Sequence, residues 1–444
     1  MRPTVDIVES DTDLPREADV VVIGGGIIGA STAWTLARRG LSVALCEKGR
    51  IAGEQSSRNW GFCRQQGRDP REIPLIIESL RIWRTIEKEI EAPVGFKQAG
   101  CLYLAKTDKQ MQGYEDWLEH AKPYQLDSRM INPSEIENLM PGSTIPWKAA
   151  LYTASDGRAE PSKAAPAIAQ AARRAGASIF TACAARGFET SNGRVSAVVT
   201  EKGTIKTGTA VLAGGAWSRL FCGNQGLSLP QLKVLSSVMR TAPMDEITDN
   251  AIWAPGFAYR RRADGGYNIA HGSTINVDIV PDSFKLLPHF LPVMWRQDKE
   301  LRIRLGRRFW TELTMAKRWR FDEKTPFEDM RVLDPDPRGR VLDKAFANLK
   351  RAMPAFEKAE IAERWAGLID VTPDEVPVIS TLDDIPGLVI ATGFSGHGFG
   401  IGPGAGRLAA DLASGTDPIV DPAPFRFDRF AGGKRQPAAA PVPV

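Results

Sequence analysis

Three glycines offer the first chemistry. Gly24, Gly26 and Gly29 stand in G-x-G-x-x-G spacing directly after Val20-Val21-Val22-Ile23, and the acid Glu47 follows. The first glycine permits a tight turn, the second lets the backbone approach a pyrophosphate, and the third lets helix and strand pack closely. The phosphates then lie on the positive end of a helix, beside Ile27 and Ile28. Glu47 can accept hydrogen bonds from both hydroxyls of an adenosine ribose, and its charge disfavours a 2′-phosphate. Lys48 extends the same cradle. The bland alternative is a strand-turn-helix without a ligand; strand, helix and acid in register favour dinucleotide binding.

Further blocks follow in a fixed order. They are Ser56-Ser57-Arg58, the run VLAGGAWS (Val211 to Ser218), VTPDEVPVIS (Val371 to Ser380) and ATGFSGHGFGIGPGAGRLAADL (Ala391 to Leu412). With VVVIGGGIIGASTAWTLARRG (Val20 to Gly40), these blocks resemble the D-amino-acid oxidase/sarcosine oxidase (glycine oxidase-like) family of FAD-dependent amine and amino-acid oxidoreductases. The resemblance spans nearly the whole chain.

The resemblance implies an extended FAD contacted by Ser56, Ser57, Arg58, Gly214, Gly215 and Trp217. Its isoalloxazine ring would reach Gly396, His397, Gly398, Phe399 and Gly400. Backbone N–H groups and a helix start there would stabilise the negative charge that grows on reduction. His397 either touches the ring or merely packs and hydrogen-bonds. Trp365 to Asp370 holds no cysteine, and Gln55 and Arg58 flank the serines where some members carry a histidine, so FAD is expected to be noncovalent. Gly400 occupies a position where sarcosine-oxidase-like members carry a substrate-contacting lysine. The family's oxygen-activating lysine is likewise missing near Asn268.

The implied function is oxidation of a small amino acid or secondary amine by hydride transfer to flavin N5. The resulting imine hydrolyses, and electrons pass to oxygen or another acceptor. A substrate carboxylate calls for a planar guanidinium fork, and the candidates are Arg64, Arg260 and Arg261. Tyr259 and His397 are further substrate candidates, with Trp60, Phe62 and Trp365 as an apolar lining. No side chain is assigned as catalytic, because amine oxidation rests on placement and flavin electronics. Rival functions are an NAD-dependent dehydrogenase and a noncatalytic electron-transfer or RNA-modifying subunit.

Composition narrows the field. The chain has 444 residues, 43% hydrophobic and 25% charged, with a net charge of +4. That balance excludes intrinsic disorder, and the small charge argues against a nucleic-acid partner. Five scattered cysteines form no C-x-x-C pair, and the four histidines have no metal-ligand spacing, so no metal is expected. The acidic N-terminus is unlike a signal peptide, and the longest apolar stretch is too short and glycine-rich to span a bilayer. A cytoplasmic protein is the expectation. Between Trp295 and Arg320, nine basic residues face three acids, and Leu301, Leu305, Phe309 and Leu313 recur at i, i+4. This predicts a helix: a solvated one with a buried face, one lying on a membrane surface to deliver electrons to a quinone, or a nucleic-acid patch.

The positioning elements follow from period and punctuation. Strands are expected at 18–23, 42–47, 100–105, 177–180, 195–200, 209–213, 257–261, 267–270 and 387–392, and helices at 30–39, 73–90, 161–175 and 404–414. Ser134 and Glu137 suggest a capping box, and Asn192-Gly193 a hairpin turn. The fold class is α/β: an FAD-binding Rossmann-like domain with a second, mixed-sheet substrate domain. The FAD domain is expected from 15–65, 150–230 and 360–430, the substrate domain from 66–149 and 231–359. The Pro- and Ala-rich 432–444 reads as a disordered tail.

Overall fold

In a computed structural model, the structure describes residues 3–296 and 301–433. Val20–Ile23 is buried on both faces and forms an inner strand of a six-stranded sheet. The order is Val378–Thr381, Leu388–Thr392, Ala210–Leu212, Val20–Ile23, Val43–Cys46 and Ser178–Phe180. All neighbours run parallel except Val378–Thr381 against Leu388–Thr392. Parallel strands covered on both faces read as continuous apolar runs. Alternate residues then serve separate cores. Val20 and Val22 pack with helices Ile27–Arg38, Pro161–Arg174 and Gly402–Ser414. Val21 and Ile23 pack with Phe188, Val198, Trp217 and Phe221.

Helix Ile73–Glu89 buries Ile73, Ile76, Leu80, Trp83 and Ile86, a 3.6-period stripe. Its Ser79 Oγ and Trp83 Nε1 each donate to the Gly400 carbonyl at 2.8 Å, which pins the C-terminal glycine turn.

The second sheet has ten strands and is mixed. It runs Leu301–Leu305, Ile275–Ile279, Leu232–Thr241, Tyr267–Ala270, Phe257–Arg261, Ala251–Ala254, Cys101–Ala105, Ala149–Thr153 and Ser128–Ile131. Ile361–Val371 pairs antiparallel with the whole of Leu232–Thr241, from Leu232 opposite Val371 to Thr241 opposite Ile361. A separate meander, Ala185–Ser191, Arg194–Thr200 and Gly203–Lys206, turns at Asn192 and Gly193, whose φ values of 52° and 78° suit that dipeptide.

Several expectations change. The first helix begins at Ile27 rather than 30, so Gly26 is its N-cap. The capping box is Asn132 with Glu135, not Ser134 with Glu137, because Pro133 takes the first helical position. Residues 301–314 are not one helix. Leu301-Arg302-Ile303-Arg304-Leu305 alternates with period two and adds to the edge of the large sheet, and a helix, Arg307–Thr314, starts only after Gly306. Ala150–Thr153 and Ile361–Val371 belong to the large sheet, although the expected boundaries group them with the smaller one. The expected tail is helical through Gly433; its remainder, 434–444, lies outside the described residues. Among the described residues all five cysteines are free and buried, no cluster of three metal-ligating side chains occurs, and no helix is long and apolar enough to cross a membrane.

Candidate functional site

The carboxyl ends of Val20–Ile23 and Val43–Cys46 open into a cavity of about 1300 Å³. That exceeds the roughly 300–1,000 Å³ of ordinary small-molecule sites. Gly24, Gly26, Ile27, Ile28, Glu47, Lys48, Ser56 and Arg58 line it. Gly214, Gly215 and Trp217 line it too, as do Gly396, His397, Gly398, Phe399 and Gly400. Strands of both large sheets contribute, including Leu232, Val234 and Ile369. Gly29 and Ser57 do not reach the wall.

The first turn has no room for side chains. A Cβ on Gly24, whose φ is +110°, would sit 2.4 Å from the Ala213 carbonyl oxygen. One on Gly29 would sit 1.9 Å from the Gly24 carbonyl oxygen, so the third glycine acts through helix–strand packing. The Ile27 N–H donates to Ser56 Oγ at 2.9 Å, whereas the N–H groups of Gly26 and Ile28 have no protein acceptor among the described residues. These donors, at the start of a 12-residue helix, fit a pyrophosphate. Glu47 accepts from the N–H groups of Gly25 and Gly49, each at 2.7 Å. Burial raises its carboxyl above the usual value, against the lowering by Lys48 and these two N–H groups.

Lys48 and Arg58 are engaged by protein groups. Lys48 Nζ meets Glu54 at 2.6 Å and the Met330 and Arg331 carbonyls at 2.9 and 3.0 Å. Arg58 donates to Asp334 at 2.5 Å and to the Ala366 carbonyl at 2.8 Å. Glu54, which the sequence reasoning passed over, gathers Lys48, Trp217 Nε1 and the Leu333 N–H. Asp370 was missed as well; it is buried and accepts from the Gly393 N–H at 2.7 Å, holding the start of the glycine turn.

The glycine turn is closely packed where the expected lysine is missing. A Cβ on Gly400 would sit 3.0 Å from both Cys63 Cα and the Phe62 carbonyl oxygen, so a side chain there would crowd the Phe62–Cys63 backbone. His397 Nδ1 lies 3.1 Å from Oε2 of the buried Glu72. Burial, then Arg68, pulls the imidazole below its ordinary value, which favours the neutral ring near pH 7. A Glu72 carboxylate can only accept, which puts the proton on Nδ1 and leaves Nε2 as an acceptor.

The substrate candidates separate. Arg64 and His397 line the cavity, while Tyr259, Arg260 and Arg261 do not. Arg260 is wholly buried and donates to Glu160 at 2.5 Å and to the Trp60 carbonyl at 2.6 Å. Tyr259 packs among Phe257, Tyr267 and Phe356, and Arg261 pairs with Glu246. Alternation parts Arg260 from Tyr259 and Arg261, and their own partners keep all three side chains off the cavity wall. Trp365 is buried too, donating to the Arg58 carbonyl. Arg64 follows the short strand Phe62–Cys63, which Gly157–Arg158 fixes by antiparallel pairing. Its guanidinium lies 5.5 Å from the Tyr103 ring centre and 5.3 Å from that of Trp253. Trp60 and Phe62 complete an edge-to-face aromatic wall around Trp253. Tyr103, Trp253 and the helix Asp108–Ala121, with Lys109, Gln112 and Asp116 on the wall, carried no sequence motif.

Comparison with known proteins gives this arrangement a family. Residues 19–412 match the family model described as FAD dependent oxidoreductase, DAO. The fold is similar to L-amino acid deaminase from Proteus myxofaciens in complex with anthranilate, at 37% identity over 97% of each chain and a TM-score of 0.93. It is also similar to L-amino acid deaminase from Proteus vulgaris, at 34% identity over 96% of this chain and 100% of the other, with a TM-score of 0.91. A sarcosine oxidase subunit beta from Arthrobacter sp is 25% identical over 94% of this chain and 92% of its own length. With a dinucleotide cradle at the strand ends and most of its length matched, the chain belongs to the DAO family of FAD-dependent oxidoreductases, and FAD is the dinucleotide its cradle fits.

Proposed function

We propose that this chain oxidises L-α-amino acids with bulky, apolar side chains to imino acids, which hydrolyse to keto acids and ammonium. One observation carries this reading: the cavity runs without a break from the dinucleotide cradle to a pocket walled by Trp60, Phe62, Tyr103 and Trp253, with Arg64 on it. The names of the two Proteus relatives support the L-amino-acid class. Hydride acceptance from the α-carbon is the chemistry that FAD supplies when bound. The aromatic wall holds the side chain and excludes water from it, and a guanidinium opposes the carboxylate. His397 Nε2 accepts a hydrogen bond from the substrate amine. The electrons then pass to oxygen or another acceptor.

Anaerobic titration of the flavin absorbance tests this. Bleaching by L-phenylalanine or L-leucine, and none by their D-enantiomers, is expected. Bleaching only by D-amino acids, N-methyl amino acids or iminodiacids would overturn it.

A second observation bears on the partner. Of nine exposed large apolar side chains among the described residues, seven lie between 284 and 313: Phe284, Leu287, Trp295, Ile303, Leu305, Trp310 and Leu313. Exposed Lys285, Arg302, Arg304 and Arg307 lie among them. Apolar anchors interleaved with cations match an anionic phospholipid surface. The other side of this segment, Phe290, Val293 and Met294, walls the cavity. Sedimentation with phosphatidylglycerol vesicles is therefore expected, lost in Trp295→Ser/Trp310→Ser and weakened by salt. Failure to sediment, or a stable dimer in light scattering, would refute the membrane contact.

A further inference from the structure

An α-amino acid reaches the cavity with one proton too many. Near neutral pH its amine is an ammonium, and the nitrogen has no lone pair until one proton leaves. Loss of the α-hydrogen as a hydride needs that lone pair, which closes the C=N bond as the C–H electron pair departs. A side chain that takes the proton at the cavity wall speeds this step.

His397 lines the cavity and its side chain is 24% exposed, whereas Glu72 behind it is wholly buried. The ring's Nδ1 is committed to Glu72 Oε2. Nε2, at the opposite edge, has no partner among the described residues and is not one of the buried unpaired atoms. Glu72 Oε1 is buried and unpaired, and among the described residues the imidazole is this carboxylate's one ion-pair partner. A buried carboxylate without a cation is costly. A proton arriving on Nε2 turns the imidazole into that cation, so the pair favours holding one.

Both members are fixed in place. Glu72 is the N-cap of helix Ile73–Glu89, whose Ser79 and Trp83 donate to the Gly400 carbonyl. The His397 N–H donates to the Phe394 carbonyl at 2.7 Å, and its carbonyl accepts from Arg68 Nη2 at 3.4 Å. Nearby charges keep the empty ring neutral. Burial lowers the imidazole most, then Arg68, with Arg64 adding to them and Glu72 opposing. Asp69 and Asp374 pair with Arg71, and Asp370 accepts from the Gly393 N–H. Lys109, Asp116 and His120 line the cavity from helix Asp108–Ala121.

We propose that His397 Nε2 takes the proton from the substrate ammonium, with Glu72 as the positioning residue that fixes the tautomer and pairs with the imidazolium. This deepens the function proposed above and rests on it. One N–H bond of the ammonium breaks and an Nε2–H bond forms. The freed lone pair closes the C=N bond as the α-hydrogen leaves with its electron pair, which FAD accepts when bound. The imidazolium returns its proton to water once the imino acid departs.

Two measurements on the FAD-loaded enzyme test this in wild type, His397→Gln and Glu72→Gln. The first needs no turnover. α-Methyl-L-phenylalanine has no α-hydrogen to lose, so its binding is read from the flavin spectrum across about pH 5 to 9. Wild-type affinity should fall on acidification, as an imidazolium comes to oppose the ammonium. His397→Gln should lose that fall, and Glu72→Gln should show it at lower pH, because Glu72 raises the imidazole. The second is the rate constant of anaerobic flavin reduction by L-phenylalanine. Near neutral pH, His397→Gln should lose about 100- to 10,000-fold and Glu72→Gln less, both gaps closing as rising pH supplies free amine. Profiles of His397→Gln that run parallel to wild type overturn the assignment, as does a gap that persists undiminished at alkaline pH. If neither glutamine variant loads FAD, the wild-type binding profile carries the test, and affinity that does not fall on acidification overturns it. Where only D-amino acids or N-methyl amino acids reduce the flavin, the proposed function falls, and the same profiles taken with them decide for or against His397. Reduction by L-amino acids with His397→Gln unaltered removes the base alone. Where no amine reduces the flavin, both readings fall.

Discussion

Asp156 shows how one buried side chain governs the segment that carries Arg64 and Arg68. Its carboxylate accepts from the N–H groups of Gln65 and Gln66, at 2.8 and 3.2 Å, and its carboxyl is fully buried. Burial raises its pKa to about 7 against the lowering by those two N–H groups. The folded chain therefore binds this proton more tightly than the unfolded chain, whose carboxyl titrates near 3.8. Below about 3.8 both states hold the proton, and above about 7 both release it, so stability falls as pH rises between those values. Asp156→Asn keeps an acceptor for Gln65 and removes the titration; its unfolding temperature should lose that fall between pH 4 and 7. A profile that still slopes like wild type would refute the assignment. At this scale the sequence was half legible. Spacing pointed to Gly24, Gly26 and Gly29, because the turn at Gly24 and the packing at Gly29 admit no side chain. Arg64, by contrast, was one of three arginines offered for a carboxylate and is the one of them that lines the cavity. Arg260 looked equally suitable, yet its guanidinium is buried against Glu160 and the Trp60 carbonyl. Burial distinguishes such arginines, and it is not a property of spacing.

Among elements, the crossing of helix Gly402–Ser414 over Ile27–Arg38 depends on a missing side chain. A Cβ on Gly406 would lie 2.4 Å from Ser31 Cβ and 2.9 Å from the Thr32 nitrogen. Gly406→Ala should cost about 1–3 kcal/mol by overpacking, read from urea unfolding, and should loosen the glycine turn ahead of it. Gly223, in the helix Ser218–Asn224, supplies the contrast, because a Cβ there meets nothing within 4 Å. Gly223→Ala should stabilise by about 0.4–1 kcal/mol. Equal effects of the two substitutions would refute the crossing argument. Long apolar runs and strongly periodic helices were readable because burial on two faces or one stripe writes them directly. The 301–314 stretch misled, since Leu301 and Leu305 satisfy both a four-residue repeat and the two-residue alternation that includes Ile303. Pairing with Ile275–Ile279 settled it, and that partner is distant in sequence.

For the whole molecule, the cavity is the joint property of two sheets, and FAD binding is linked to the stability of both. Removing FAD should lower the unfolding temperature by the equivalent of about 2.7 kcal/mol for each hundredfold excess over the dissociation constant, measured by calorimetry of apo and reconstituted protein. Equal unfolding temperatures would contradict that linkage. The Rossmann-like domain with a second, mixed sheet was legible from the strand–helix–strand run at 18–47 and from the resemblance carried by the ordered blocks, whereas the edges of the sheets were not. Ala149–Thr153 and Ile361–Val371 join the large sheet through distant pairings that no local pattern reports. The order of strands in the smaller sheet also has a consequence in time. Val20–Ile23 leaves the ribosome early, but Ala210–Leu212 awaits Leu388–Thr392 on its open edge, and the first helix awaits Gly402–Ser414. At about 5–20 residues per second, that interval lasts roughly 20–70 s. Throughout it the nascent cradle presents an unpaired edge and an uncovered apolar helix face, so edge-to-edge association competes with folding until Leu388–Thr392 and Gly402–Ser414 are made.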